Sequence, residues 1–241
     1  MRNIETLCEK CVILRITKYH IGGKNNYLEE LNFMAKENAN KLTWFLVPIG
    51  VAVNFIGGTI ILLLKLPIYL DSIGTIIVGA LCGAWPGVIV GLVTNILTSI
   101  TAPNNLFYAP LNMAFGVAAA YLSKKGVFKK FVPTLLSSLV FAFIGGVIGA
   151  LITWTLYGFD FGSGTTAVVV LPLWKAFGSP EVQSVKFFIQ IIGEFMCDLL
   201  DKSITIIVCY FILKAFPTRV LSKLPLGPVY ISDEEKALEE E

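Results

Sequence analysis

Four ionisable residues lie within one apolar stretch near the end of the chain: Glu194, Asp198, Asp201 and Lys202. Glu194, Asp198 and Asp201 stand at i, i+4 and i+7, so a helix carries them on one face. Lys202, four residues after Asp198, is within reach of it for an ion pair. Ionisable groups inside apolar helices are costly and face a cavity or a partner. From a helix start near Val185, a rise of about 1.5 Å per residue places Glu194 roughly 14 Å along the helix and Asp201 roughly 24 Å along. Glu194 is then the carboxylate placed to meet a solute, while Asp198, Asp201 and Lys202 read as contacts for helix packing or for a partner. Asp71 opens another apolar stretch, where capping of the helix N-terminus competes with a binding role.

Neutral polar and aromatic groups gather at the same end of the predicted spans. Asn95 and Thr98 approach the end of one span, Asn104, Asn105 and Tyr108 lie in or beside the loop that follows, and Asn112 sits just over one turn into the next. Trp154 and Tyr157 end a further span, where they could equally form an interfacial aromatic belt. Asp160 falls in the run 158–166, rich in Gly, Ser and Thr and polar enough to fold over a small molecule. The candidate solute-binding set is therefore Asn95, Asn112, Trp154, Tyr157, Asp160 and Glu194, with Asp71 as second choice. The run 158–166 contains no Gly-Lys-Ser/Thr and is not a phosphate-binding P-loop.

Other chemistry is weakly represented. Cys8-x-x-Cys11 has the spacing of half a zinc site and His20 could supply a third ligand, but no second Cys/His pair follows. No metal and no cofactor are expected in this chain. Cys82, Cys197 and Cys209 fall in apolar stretches, where a thiol behaves as a small hydrophobe. A single histidine and the lack of any nucleophile–base spacing argue against a membrane enzyme. The net charge of +2 is too small to point to nucleic acid.

The elements that must position these residues follow from composition. Hydrophobic residues make up 55% of the 241 and charged residues 15%, against roughly 25% charged in a soluble domain. Only 14 of the 19 basic and 17 acidic residues fall between Leu42 and Leu213. Together with a mean hydropathy of +0.74, this excludes a soluble enzyme and a disordered chain and leaves an all-α, multi-pass membrane protein. Six apolar stretches are predicted as spans: about 43–64, 70–83, 87–101, 107–122, 131–157 and 185–216. Ala84-Trp85-Pro86-Gly87 is expected to be a tight turn, and 158–183 a long loop. Six spans put both termini on one side. The basic segments 1–41, 124–130 and 214–236 all fall on that side, which the positive-inside rule makes cytoplasmic. Gly79, Gly83, Gly87 and Gly91, and again Gly145 and Gly149, repeat at four-residue spacing, as helix-packing seams do.

Three segments result: a polar cytoplasmic extension over 1–41, a six-helix membrane domain over 42–224 and an acidic cytoplasmic tail over 225–241. No secretory signal pattern is visible, and Met34 opens a plausible shorter chain.

Several stretches carry a family resemblance. Pro67-Ile68-Tyr69-Leu70-Asp71-Ser72-Ile73-Gly74-Thr75, Gly83-Ala84-Trp85-Pro86-Gly87, Gly91-Leu92-Val93-Thr94-Asn95 and Asp201-Lys202-Ser203-Ile204-Thr205 together resemble the substrate-binding S component of energy-coupling factor (ECF) transporters, over about 42–224. The resemblance implies a six-helix subunit in the cell membrane that binds a vitamin or related micronutrient near its outer face. It also implies partners: a membrane scaffold T subunit and two cytoplasmic ATPases, which use ATP and drive a toppling of the S component in the bilayer. Many S components dock the scaffold through an Ala-x-x-x-Ala face on the first helix; the closest match here is Gly50, Asn54 and Gly58. A nucleobase or nucleoside is the alternative substrate class, and a membrane sensor module is the alternative function.

Overall fold

The computed structural model describes residues 40–64, 66, 68–157 and 166–231. Cys8, Cys11, His20, Asp160 and the acidic end from residue 232 lie outside them. Residues 1–41 form one unit and 42–241 another, and the second carries the architecture described here.

Among the described residues the chain is helical throughout, without a strand. Helix α1 is Asn40–Leu64. Helices α2 (Ile73–Cys82) and α3 (Ala84–Thr98) follow. A 3-10 turn, Pro103–Tyr108, leads into α4 (Ala109–Lys124). Helix α5 (Phe131–Ile144) runs through a π-helical turn, Gly145–Gly149, into α6 (Ala150–Leu156). Then come α7 (Ala167–Ala176), α8 (Gln183–Ala215) and the short α9 (Thr218–Leu221).

Three helical stretches are long and apolar enough to cross a bilayer: Asn40–Leu64, Pro103–Lys124 and Phe131–Leu156. Helix α8 has the length, with 33 residues spanning about 50 Å, but carries ionisable residues in its middle. Helix α2 has 10 residues, about 15 Å, which is half of a hydrocarbon core. The predicted span at 70–83 is thus too long: residues 68–72 are not helical.

The surface is inverted relative to a soluble protein. Leu63 is 76% exposed and Phe143 65%, while Asn54, Asp201 and Thr205 are fully buried. Outward-facing Ile56, Leu62, Leu136, Leu200 and Phe211 belong in lipid. Most polar groups inside pair with one another, since hydrocarbon offers no hydrogen bonds; Thr43 Oγ1, Asn112 Oδ1, Gln190 Oε1 and Thr205 Oγ1 have no partner among the described residues.

Two polar devices hold α2 in place. The first is Asn54 of α1. Its Oδ1 accepts from the Gly74 backbone N–H at 2.6 Å, and its Nδ2 donates to Thr75 Oγ1 at 2.9 Å and Thr94 Oγ1 at 3.1 Å. The residue before the helix, Ser72, makes no side-chain cap bond, so one free N–H of the first turn, that of Gly74, is met from another helix and not by Asp71. The second is the pair on α8. Asp201 Oδ1 accepts from the backbone N–H groups of both Tyr69 and Leu70, each at 2.9 Å. Its Oδ2 pairs with Lys202 Nζ at 2.5 Å, and Lys202 also donates to Ser72 Oγ at 3.0 Å. Lys202 therefore pairs with its chain neighbour, and the expected Asp198–Lys202 ion pair is not formed.

Close backbone approach explains the glycine repeat of α2 and α3. A Cβ on Gly87 would sit 2.9 Å from Gly79 Cα and 3.0 Å from Gly116 Cα, and one on Gly91 would sit 2.8 Å from the Asn112 carbonyl carbon. Gly116 of α4, outside the repeat, completes this seam. The turn expected at 84–87 is shorter than that. Gly83 alone makes it, with φ 105, and α3 begins at Ala84 with Pro86 in its first turn.

Two further boundaries shift. The predicted loop over 158–183 contains α7, whose Val170 is fully buried against Gly193 of α8. Residues 225–231 are not part of a solvated tail. Leu226 N–H donates to Leu81 O at 2.9 Å, Tyr230 Oη bonds Ser123 Oγ at 2.7 Å, and Ile231 joins the core. Burial, opposed in part by the Ser123 bond, holds the Tyr230 phenol above its ordinary pKa.

Removing Asp201 leaves Lys202 and two backbone N–H groups buried without their acceptor. Asp201→Ala is expected to destabilise the fold by about 3–5 kcal/mol, read as a lowered unfolding midpoint in detergent. The Asp201→Ala/Lys202→Met double variant should recover part of the loss, because no unpaired ammonium remains. A single variant that unfolds at the wild-type temperature would remove this anchoring role.

Candidate solute-binding site

Between the segment 68–72, α3 and α4 on one side and α6 and α8 on the other lies a cavity of about 140 Å³. A single water needs roughly 10–15 Å³ by the same measure, so the cavity has room for a small organic molecule. In its lining Asn104 is exposed and Asn105 and Tyr157 are part-exposed, whereas Phe115, Thr166, Asp198 and Lys202 are buried.

One wall is an amide relay. Asn95 Nδ2 donates to the backbone carbonyl of Asn105 at 2.8 Å. A carbonyl only accepts, so Asn95 must turn its Oδ1 the other way, towards Asn112. Asn112 Nδ2 donates to that Oδ1 at 2.9 Å and lies 3.4 Å from Asp71 O. The carbonyl of Asn105 thereby fixes both side-chain amides. It leaves Asn112 Oδ1, on a residue 4% exposed, without a partner.

The facing wall is built on Glu194. Its Oε1 accepts from Thr153 Oγ1, Thr166 Oγ1 and Gln190 Nε2, all at 2.9 Å. Thr153 has one hydroxyl hydrogen and gives it to Glu194, so Tyr108, 2.8 Å away, must be the donor in their bond. With Oε1 saturated, Oε2 is the free oxygen, and it has no partner among the described residues. Asp198, one turn further along α8 and 5% exposed, makes no hydrogen bond or ion pair to any described residue.

The π-turn makes room for one of these two carboxylates. A Cβ on Gly145 would collide with Asp198 Oδ2, and one on Gly149 would lie 4.0 Å from Glu194 Oε2. Gly145 thus holds space for a charged group, where a plain packing seam was expected; a Cβ on Gly149 would make only ordinary contacts, and Gly146 packs tightly against Phe195.

Of the expected solute-binding residues, Asn95, Asn112, Tyr157, Glu194 and Asp71 meet at this cavity. Asp160 lies outside the described residues. Trp154 is 7% exposed but stacks on Phe187, with ring centroids 5.4 Å apart, and does not line the cavity. Asp198 and Lys202 line it although their spacing suggested packing alone. Tyr69, Tyr108, Thr153 and Thr166 were not singled out as binding residues: hydroxyls at helix ends carry no periodic signal. Gly50, Asn54 and Gly58, expected to face a scaffold, point inward. Gly50 meets Gly74 and Val78, Asn54 is fully buried, and Gly58 faces Asp71.

Apolar outer faces, a polar interior and a cavity of solute size define a membrane protein that binds a small molecule. The family model for the substrate-specific component of ECF transporters matches residues 45–222. The chain belongs to that family. Comparison with curated proteins and with solved structures gave no match.

A methyl group on Gly145 has no space beside Asp198, whereas one on Gly149 does. Gly145→Ala is expected to lower the unfolding midpoint by several degrees, and Gly149→Ala to leave it nearly unchanged, in parallel thermal melts. Equal behaviour of the two variants would refute the assignment of Gly145 as the Asp198 cut-out.

Proposed function

We propose that the chain is the solute-binding subunit of an ATP-driven importer in the cell membrane, with six spans and both termini cytoplasmic, and that it takes up a vitamin or related micronutrient through the cavity between α3, α4, α6 and α8. The observation that carries this is the Glu194 carboxylate, one of whose oxygens has no partner among the described residues, in a cavity whose Asn95 and Asn112 amides are oriented by hydrogen bonds. An apolar core would not keep such a group. Preorganised groups of this kind reduce the cost of binding a small solute.

The charge distribution supports the orientation. Lys124, Lys125, Lys129, Lys130, Arg219 and Lys223 lie at the end of the helices remote from the cavity mouth, whereas Lys175 and Lys186 lie beside the mouth, Lys186 paired with Glu181 at 2.8 Å. The basic end is then cytoplasmic and the mouth faces outward.

No nucleotide-binding loop occurs in the sequence, so the energy comes from partners: a membrane T subunit and two cytoplasmic ATPases that hydrolyse ATP. With Gly50, Asn54 and Gly58 occupied internally, docking falls to the outward face of α1, where Pro48, Ala52 and Thr59 are the small exposed residues. Small residues let helix backbones approach closely.

Native mass spectrometry of the gently purified chain identifies a co-purified solute. Proteoliposomes containing the four-subunit assembly should then accumulate that solute when ATP is available to the ATPases and not with a non-hydrolysable analogue. Failure of the chain to assemble with a T subunit and ATPases, or a stable complex with a kinase instead, would overturn the importer. Ala52→Trp is expected to abolish assembly with the T subunit in pull-down while leaving solute binding within about twofold, because a bulky side chain on this face blocks only helix–helix approach.

A further inference from the structure

Resting on the importer reading of this cavity, we propose that its solute is an organic cation bearing N–H donors, held between Glu194 Oε2 and the Asp198 carboxylate. The charged residues lining the cavity are Asp71, Glu194, Asp198 and Lys202. Lys202 is already occupied: it pairs with Asp201 at 2.5 Å, donates to Ser72 at 3.0 Å and lies 4.5 Å from the centre of the Phe115 ring. Two of its three N–H donors have hydrogen-bond partners within the chain, and its single charge is shared by Asp201, Asp198 and Asp71. Among the described residues, Asp71, Glu194, Asp198 and Asp201 therefore stand against this one cation.

Their arrangement makes the deficit specific. Glu194 and Asp198 are one turn apart on the same face of α8, a spacing at which like charges repel. Each is 5% exposed, and buried carboxylates that outnumber their counter-charge are costly. The fold nevertheless gives up a side chain at Gly145 to leave Asp198 room. Thr153, Thr166 and Gln190 all bind the one oxygen of Glu194, which leaves the other without a partner among the described residues. Asn112 in the same lining keeps its Oδ1 as a buried acceptor without a donor. The carbonyl of Asn105 sets its polarity through Asn95, so it cannot flip to suit an acceptor.

An anionic solute would have to share Lys202 with Asp201, Asp198 and Asp71. A neutral acceptor would leave both carboxylates unmatched. Among the described residues no three Asp, Glu, His or Cys side chains group closely enough to hold a metal ion, so the positive charge is carried by an organic group. Tyr69, Tyr108 and Phe115 in the lining offer ring faces to the same cation.

The test uses the full chain in nanodiscs at pH 7 and follows thermal unfolding. The probes are benzylamine, benzamidine and 4-aminopyridine, against the neutral benzyl alcohol and benzamide and the anionic benzoate. The cationic probes are expected to raise the unfolding midpoint by several degrees at millimolar concentration, with no shift from the others. Glu194→Gln and Asp198→Asn are isosteric, and each should require at least about tenfold more cation for the same shift, with a cooperative melt retained without probe. If either variant fails to fold, the wild-type comparison of benzylamine with benzyl alcohol still decides. An equal shift from benzyl alcohol or benzoate, or no shift from any cation, overturns the inference. That failure is separable from failure of the importer reading: a neutral or anionic solute still accumulated by the four-subunit assembly would refute the charge assignment alone, while loss of assembly would refute the importer whatever the solute's charge.

Discussion

The Asp201 carboxylate, taking two backbone N–H groups with one oxygen and an ammonium with the other, is the contact on which the remaining structure depends. Between α1 and α2 the chain leaves helical geometry over residues 68–72. Irregular backbone amid apolar helices has no water to turn to, and each unmet N–H or C=O costs several kcal/mol. Asp201 meets Tyr69 and Leu70, Lys202 meets Ser72, and Asn54 meets Gly74. The next helix is only 10 residues long, and the non-helical segment before it reaches the cavity. Tyr69 and Asp71, carried on this segment, become part of the lining.

The same economy runs through the cavity walls. Donors and acceptors are matched in chains that end on a backbone carbonyl at one wall and on Glu194 at the other. Each chain leaves one acceptor unmatched. The glycines serve two physical purposes here: those of α2, α3 and α4 admit neighbouring backbone, and Gly145 admits the Asp198 carboxylate. A π-turn at Gly145–Gly149 shifts the register of the α5–α6 stretch where Asp198 of α8 needs space, which fits the frequent use of such turns at functional sites.

Much of this was legible residue by residue. The one-face spacing of Glu194, Asp198 and Asp201 holds because α8 is continuous, and period alone fixes the face. Asn95 and Asn112 stood out as amides in apolar helices. The partner of Lys202 was not legible, because i, i+4 reach makes Asp198 available but does not say where the 68–72 backbone will run. Trp154 was expected in the pocket for its type and its place at a span end, yet it packs on Phe187. Asn54 reads from sequence as an intruder on a small-residue face; it is the cap of a helix 20 residues away. Helix α7 was missed because the polar residues around it suggested a loop, whereas burial of Val170 against Gly193 stabilises a helix there.

The sequence by itself determined that the chain is helical and membrane-embedded, which family it resembles and which few polar residues must face inward, because a scarcity of charge over 172 residues from Leu42 to Leu213 leaves no other solvent, and continuous apolar runs of span length are helical there. Only the tertiary structure decided which of those polar groups satisfy one another and which remain open to a solute. Hydrogen-bond pairing across helices depends on rotation and depth, quantities that spacing along one helix does not contain.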